Sequence, residues 1–186
     1  MLTKADAYER AKKIRLIILD VDGVLTDGSI YIAEDGERVK KFYCRDGLGI
    51  NIAHRENLLT AIITGRDSKQ VAYRAKELKI DSLFMGCMDK RDAYKELKEK
   101  YNLTDAEVAY VGDDLIDLPV MVQAGLPIAV ADAAVEVKDR AVAISSYDGG
   151  RGAVRESIEF ILKSQGKWEN ILAGFLSPIN TKDLTQ

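Results

Sequence analysis

The sequence predicts an α/β domain built on a doubly wound, mostly parallel sheet of the Rossmann-like kind, with helices on both faces. Two observations carry this expectation. Apolar runs of strand length, 16–19, 59–63 and 108–111, alternate with longer charged segments that read as helices. Each run lacks strict polar alternation, which suits a strand buried on both faces, and each gives way abruptly to polar residues. In such sheets ligands bind beyond the carboxyl ends of the strands, so chemistry is expected at those polar ends.

The elements follow in order. Ala5, Tyr8 and Ala11 mark one side of a short N-terminal helix, and 15–20 is the first core strand. Segments 29–32 and 37–43 read as a β-hairpin, because Glu34-Asp35-Gly36 between them contains the Asp-Gly pair that favours a tight turn. A helix over 46–56 leads to a strand at 59–63, a helix at 68–78, a strand at 82–84 and a helix at 90–100. Thr104-Asp105-Ala106-Glu107 has the form of a capping box, but the strand at 108–111 follows so closely that the box caps one turn. Next come a helix from Asp113-Asp114 to Ala124, a strand at 128–130, a helix at 133–138, a strand at 141–144 and a helix at 152–165.

At 186 residues the chain is long enough for one domain with a proper core and short for two. Residues 1–186 are therefore expected to form a single domain with a hairpin flap at 29–43 and an apolar tail at 171–186. The net charge of -3 provides no basic field, which argues against nucleic acid or an anionic membrane as partner. Residues 1–13 read as polar and helical rather than as a signal peptide. No apolar run approaches the roughly 20 residues of a membrane span, and a cytoplasmic location is expected. Cys44 and Cys87 belong to no ligand-like cluster and read as free thiols.

The polar strand ends carry the functional reading. Asp20 and Asp22 lie two apart where the first strand ends, and Gly23 lets the backbone turn as they emerge. Two carboxylates that close repel, so either a shared proton or a hard divalent ion such as Mg²⁺ must relieve them. Thr64-Gly65-Arg66 follows directly on the strand at 59–63 and brings a hydroxyl, an open backbone N–H and a guanidinium, groups that suit a phosphate. Lys90 opens a helix after a short strand; in isolation it reads as a surface lysine. Gly112-Asp113-Asp114-Leu115-Ile116-Asp117 closes the strand at 108–111 with acids one helical turn apart, more acids than helix capping requires. His54, Trp168 and the tyrosines at 94, 101 and 110 read as packing or surface residues.

Taken in order, Asp20-Val21-Asp22-Gly23, Thr64-Gly65, Lys90 and Gly112-Asp113-Asp114-Leu115-Ile116-Asp117 resemble the motifs of the haloacid dehalogenase superfamily of phosphohydrolases. The likeness extends over most of the chain to members acting on phosphorylated keto-sugar acids. It rests there on Arg45-Asp46-Gly47-Leu48-Gly49-Ile50, Ala129-Val130-Ala131-Asp132-Ala133 and Gly149-Gly150-Arg151-Gly152-Ala153-Val154-Arg155-Glu156. The resemblance implies that Asp20 is the nucleophile and that Asp22 is the general acid and then the base. It further implies that Mg²⁺ is held by Asp20, Asp113 and the Asp22 carbonyl, with Asp114 and Asp117 as outer or water-mediated ligands. Thr64, Gly65 and Lys90 would hold the transferring phosphoryl group. A small phosphorylated keto-sugar acid would meet Tyr43, Cys44, Arg45, Asp46, Gly47, Arg66 and Arg74, besides Asp22 and Lys90. Asn51 is a further such position, where relatives carry Arg or Lys. Arg151 and Arg155 would either approach the site on the Gly149-Gly150 turn or pair with Glu156 or Glu159. The gaps between the motifs hold no cap domain, and the resemblance implies a homotetramer in which neighbours cover the site. A phospho-acceptor signalling domain is the competing reading, but it wants an aspartate where Thr64 stands. A non-catalytic oligomerisation module is opposed by the intact Asp20, Asp22, Lys90 and Asp113.

Overall fold

The computed structural model describes residues 1–32, 34 and 38–177. The described residues form nine strands: β1 (Leu2–Thr3), β2 (Leu16–Leu19), β3 (Tyr31–Ile32), β4 (Arg38–Val39), β5 (Leu59–Ile63), β6 (Ser82–Phe84), β7 (Val108–Gly112), β8 (Leu126–Ala129) and β9 (Ala143–Ile144). Among the described residues eight α-helices alternate with them: α1 (Ala7–Ala11), α2 (Cys44–Arg55), α3 (Lys69–Glu77), α4 (Arg91–Tyr101), α5 (Leu118–Met121), α6 (Val135–Arg140), α7 (Ala153–Ser164) and α8 (Trp168–Leu176). Seven strands form one sheet in the order β1-β9-β8-β7-β2-β5-β6, parallel except for β1, and β3 pairs antiparallel with β4 in a separate hairpin. The doubly wound fold is as expected, and among the described residues the hairpin and α2 are the elements between β2 and β5.

The order places the site. From β2 the chain runs outward through β5 to β6, then returns to the other side of β2 to lay down β7, β8 and β9. That reversal is the topological switch point at which doubly wound sheets open a crevice. β2 is buried along its whole length because strands flank both its edges and helices cover its faces. In register, Leu16 faces Leu59 on one neighbour and Val108 on the other, so the residues after Leu19, Ile63 and Gly112 emerge side by side. α1, α2, α7 and α8 pack as one group of helices, and α4, α5 and α6 as another.

The structure differs from the sequence reading in four places. β1 is only two residues long and exposed, so it carries no periodic signal; its pairing with β9 makes it a strand. The expected helix from Asp113 to Ala124 is a 3₁₀ turn at Leu115–Asp117 followed by the four residues of α5. Asp114 caps that turn and Pro119 sits in the first turn of α5, where a missing N–H does no harm. The expected tail begins instead as a regular helix, α8, anchored by the buried Ile171, while 178–186 lie outside the described residues. The hairpin pairs over two residues on each arm, and the expected Asp35-Gly36 turn lies outside the described residues.

Candidate active site

Asp20 is the first residue beyond β2, its backbone N–H held by the Val111 carbonyl at 3.1 Å. The chain then folds tightly, with Val24, Leu25 and Thr26 all donating N–H bonds to the Val21 carbonyl. Gly23 adopts φ +97°, and its open face receives the Asp113 carboxylate from the end of β7: a Cβ there would lie 2.0 Å from Asp113 Oδ2. The Gly149-Gly150 turn backs this loop from the other side, Gly150 donating to the Val24 carbonyl at 2.8 Å. Gly149 packs so closely on the Gly23 carbonyl that no side chain would fit.

Lys90 is completely buried, its exposure 0%. Its Nζ donates to Asp20 Oδ1 at 2.6 Å, to Asp117 Oδ1 at 2.7 Å and to the Tyr110 hydroxyl oxygen at 3.1 Å. Burial pulls the ammonium's pKa down, but the two facing carboxylates together hold it above the ordinary lysine value. Asp117, also 0% exposed, accepts the Tyr110 hydroxyl proton on Oδ1 at 2.6 Å and the backbone N–H groups of Asp113 and Asp114 on Oδ2 at 2.9 and 3.3 Å. Burial, reinforced by the neighbouring Asp117 charge and opposed by Lys90, pushes the Asp20 carboxyl up to about 6. Asp113 is pushed up to about 8, by burial first and then by the charges of Asp20, Asp117 and Asp114.

Carboxylate oxygens of Asp20, Asp113 and Asp117 come within 4.8 Å of one another. Asp113 Oδ1 is buried and has no hydrogen-bond partner among the described residues. Crowded, unsatisfied hard oxygens of this kind fit a divalent cation such as Mg²⁺. Both oxygens of Asp117 are engaged by Lys90, Tyr110 and backbone N–H groups and Asp20 Oδ1 by Lys90, which leaves Asp113 Oδ1 as the open oxygen of the cluster. Asp114 stands apart: it is exposed, and its Oδ1 accepts the Leu115 N–H at 2.7 Å.

The remaining expected residues divide by position. Thr64 is buried directly after β5, and its hydroxyl lies 3.5 Å from the Arg66 N–H; Gly65 beside it is half-buried. Asp22 is ion-paired with Lys40 from the arm after β4, and the Arg66 Nε lies 3.9 Å from its Oδ2. Arg74 stacks over the Phe42 ring at 5.8 Å and pairs with Glu77 at 2.6 Å, and its Nη2 would lie 2.5 Å from a Cβ at Gly47. Lys40, Phe42, Cys44, Tyr73 and Arg74 line a cleft of 610 Å³ that adjoins Asp22 through Lys40. Tyr43 is half-buried and precedes the first turn of α2, on which Arg45 and, further along, Asn51 are exposed. Arg45 lines a second cleft with Arg151. Asp46 is different: it is 1% exposed, and its Oδ1 accepts the Arg155 N–H at 2.9 Å. Its carboxylate therefore serves the first turn of α7, whose own cap position is Gly152 and offers no side chain. Arg155 pairs with Glu159 at 2.7 Å, and His54 bonds to the Thr60 hydroxyl at 2.6 Å, away from the acidic cluster.

Sequence reasoning passed over two residues, Tyr110 and Lys40. The signal for Tyr110 was a lone hydroxyl in a four-residue apolar run two positions before Gly112, since a buried phenol seeks a partner. The signal for Lys40 was a cation in the hairpin arm that feeds α2.

A cluster of aspartates around a buried lysine at the switch point is the arrangement of a phosphohydrolase of the haloacid dehalogenase type. The family model for haloacid dehalogenase-like hydrolases matches residues 86–156. The 3-deoxy-D-manno-octulosonate 8-phosphate phosphatase KdsC of Escherichia coli K12 is 49% identical over 163 residues, covering 88% of this chain and 87% of that protein. The crystal structure of a probable YrbI family phosphatase from Pseudomonas syringae superposes with a TM-score of 0.92 at 44% identity, over 95% of this chain and 100% of the other. The 3-deoxy-D-manno-octulosonate 8-phosphate phosphatase of Moraxella catarrhalis, solved with magnesium, phosphate and KDO, superposes with a TM-score of 0.90 at 39% identity, over 92% and 99%. The chain belongs to the 3-deoxy-D-manno-octulosonate 8-phosphate phosphatase family of this superfamily.

Proposed function

We propose that the chain is a Mg²⁺-dependent phosphomonoesterase that hydrolyses 3-deoxy-D-manno-octulosonate 8-phosphate to the free sugar acid and inorganic phosphate, a step of lipopolysaccharide biosynthesis. The observation that carries the reading is the meeting of Asp20, Lys90 and Asp113 at one strand-end crevice, in a chain 49% identical to an enzyme named for that reaction.

The Asp20 carboxylate attacks phosphorus, forming an aspartyl phosphate as the ester P–O bond breaks. The Asp22 carboxyl gives its proton to the departing sugar oxygen. Asp22 then takes a proton from the water that attacks the aspartyl phosphate, releasing phosphate and restoring Asp20. Asp20, Asp113 and the Asp22 main-chain carbonyl would hold Mg²⁺, which supplies the positive charge that offsets repulsion between a carboxylate and a phosphate dianion. Lys90 and Thr64 receive the transferring oxygens, the ammonium countering charge that spreads over them. The cleft lined by Lys40, Phe42 and Arg74 receives the sugar acid, its cations facing the carboxylate. The enzyme acts in the cytoplasm in this reading and assembles as a homotetramer, the assembly supported by the exposed Ile30, Tyr31, Ile32 and Val39 of the hairpin and Leu172, Phe175 and Leu176 of α8.

Phosphate release from eight- and nine-carbon keto-sugar acid phosphates and simple sugar phosphates, with Mg²⁺ or a chelator, tests the proposal. The eight-carbon substrate should lead, the chelator should abolish release, and Asp20→Asn should be folded and inactive. Turnover retained by Asp20→Asn would remove it as nucleophile.

A further inference from the structure

We propose that Tyr110 is a positioning residue for phosphoryl transfer, its hydroxyl aiming the Lys90 ammonium at the transferring oxygens. The inference rests on the reading of Asp20 as nucleophile.

An ammonium has three N–H donors and no acceptor. Lys90 is sealed from solvent, so all three must find protein partners, and Asp20 Oδ1, Asp117 Oδ1 and the Tyr110 hydroxyl provide them. These partners are not equivalent. Asp117 and Tyr110 belong to β7 and the turn after it, fixed parts of the sheet, whereas Asp20 is the group that acquires the phosphoryl. With two N–H bonds tied to the scaffold, the third points where bonds form and break. The hydroxyl also donates to the Asp117 oxygen that Lys90 approaches, so Lys90, Tyr110 and Asp117 close a ring of hydrogen bonds. A phenol can do both, having one proton for Asp117 and a lone pair for Lys90. Phenylalanine would keep the buried ring, but it would leave one Lys90 N–H without a partner and let the ammonium swing toward Asp117 and away from the oxygens it must meet.

Tyr110→Phe tests this. The variant should fold, lose about tenfold in kcat, and keep KM for the sugar phosphate, because Tyr110 meets the reaction only through Lys90. Inhibition by vanadate, which takes the shape of the transferring group, should weaken by the same factor, and Mg²⁺ affinity by calorimetry should stay as in the parent. Tyr110 replaced by 3-fluorotyrosine keeps the hydroxyl and should keep the rate; it also carries the test if Tyr110→Phe does not fold. An unchanged kcat overturns the proposal. So does a loss that excess Mg²⁺ repairs, because Tyr110 would then act on the cation site. Activity retained by Asp20→Asn would instead overturn the underlying reading of the nucleophile.

Discussion

Gly23→Ala is the sharpest test of how the cation cradle is built. Gly23 sits at φ +97°, and an added methyl would lie 2.0 Å from Asp113 Oδ2 and 2.5 Å from its Cγ. To restore ordinary contact near 3.4 Å the carboxylate must retreat by about 1.4 Å. Mg²⁺ demands near-ideal octahedral bonds of about 2.1 Å, so a ligand displaced that far is lost. Loss of this contact should lower Mg²⁺ affinity by about 10- to 100-fold. The left-handed backbone separately costs a side chain about 1–3 kcal/mol, a drop of roughly 2–12 °C in Tm for a chain of this size. Gly28→Ala separates the two effects: Gly28 also has positive φ, +72°, but its Cβ would meet nothing closer than 3.6 Å. Calorimetric Mg²⁺ titration and thermal melts on both variants are the assay. Gly23→Ala should lose stability and Mg²⁺ binding, and Gly28→Ala stability alone. Equal Mg²⁺ affinity in the two would refute the idea that Gly23 exists to admit Asp113.

The raised carboxyls couple the cation to pH. Without Mg²⁺ the folded protein keeps a proton on Asp113 that the unfolded chain releases near 3.8, so stability falls as pH rises from there through about 8. Mg²⁺ must displace that proton, and its affinity should rise about tenfold per pH unit up to pH 8. Melting with Mg²⁺ and with a chelator between pH 6 and 8 measures this; a Tm gap that does not widen counts against it. Lys40→Ala removes the cation shared by Asp22 and the 610 Å³ cleft. It should raise KM for the keto-sugar phosphate about tenfold and leave p-nitrophenyl phosphate, which has no sugar carboxylate to place in the cleft, nearly unchanged. Steady-state kinetics with both substrates decides; equal losses would place Lys40 at the phosphate instead.

What the sequence disclosed and what it concealed follow from the range of the interactions. Strands β2, β5 and β7 were legible because burial on both faces leaves a continuous apolar run, and Asp20, Thr64 and Asp113 were legible because each directly follows one. The direction of a side chain depends on partners far along the chain, and local sequence does not reveal it. Asp46 stands in the first turn of α2 and reads as a residue of the mouth. It turns inward because α7 is capped by a glycine and has backbone N–H groups to satisfy, among them that of Arg155, 109 residues after Asp46. Lys90 on its own reads as a surface lysine, yet it is sealed. A buried ammonium is tolerable only where opposite charge meets it, and here Asp20, 70 residues before it, and Asp117, 27 after it, converge on one Nζ. That balance also makes the site responsive. In the proposed reaction the Asp20 carboxylate becomes an acyl phosphate, its charge passes to the phosphoryl oxygens, and the Lys90 N–H that faced Asp20 is placed to meet them.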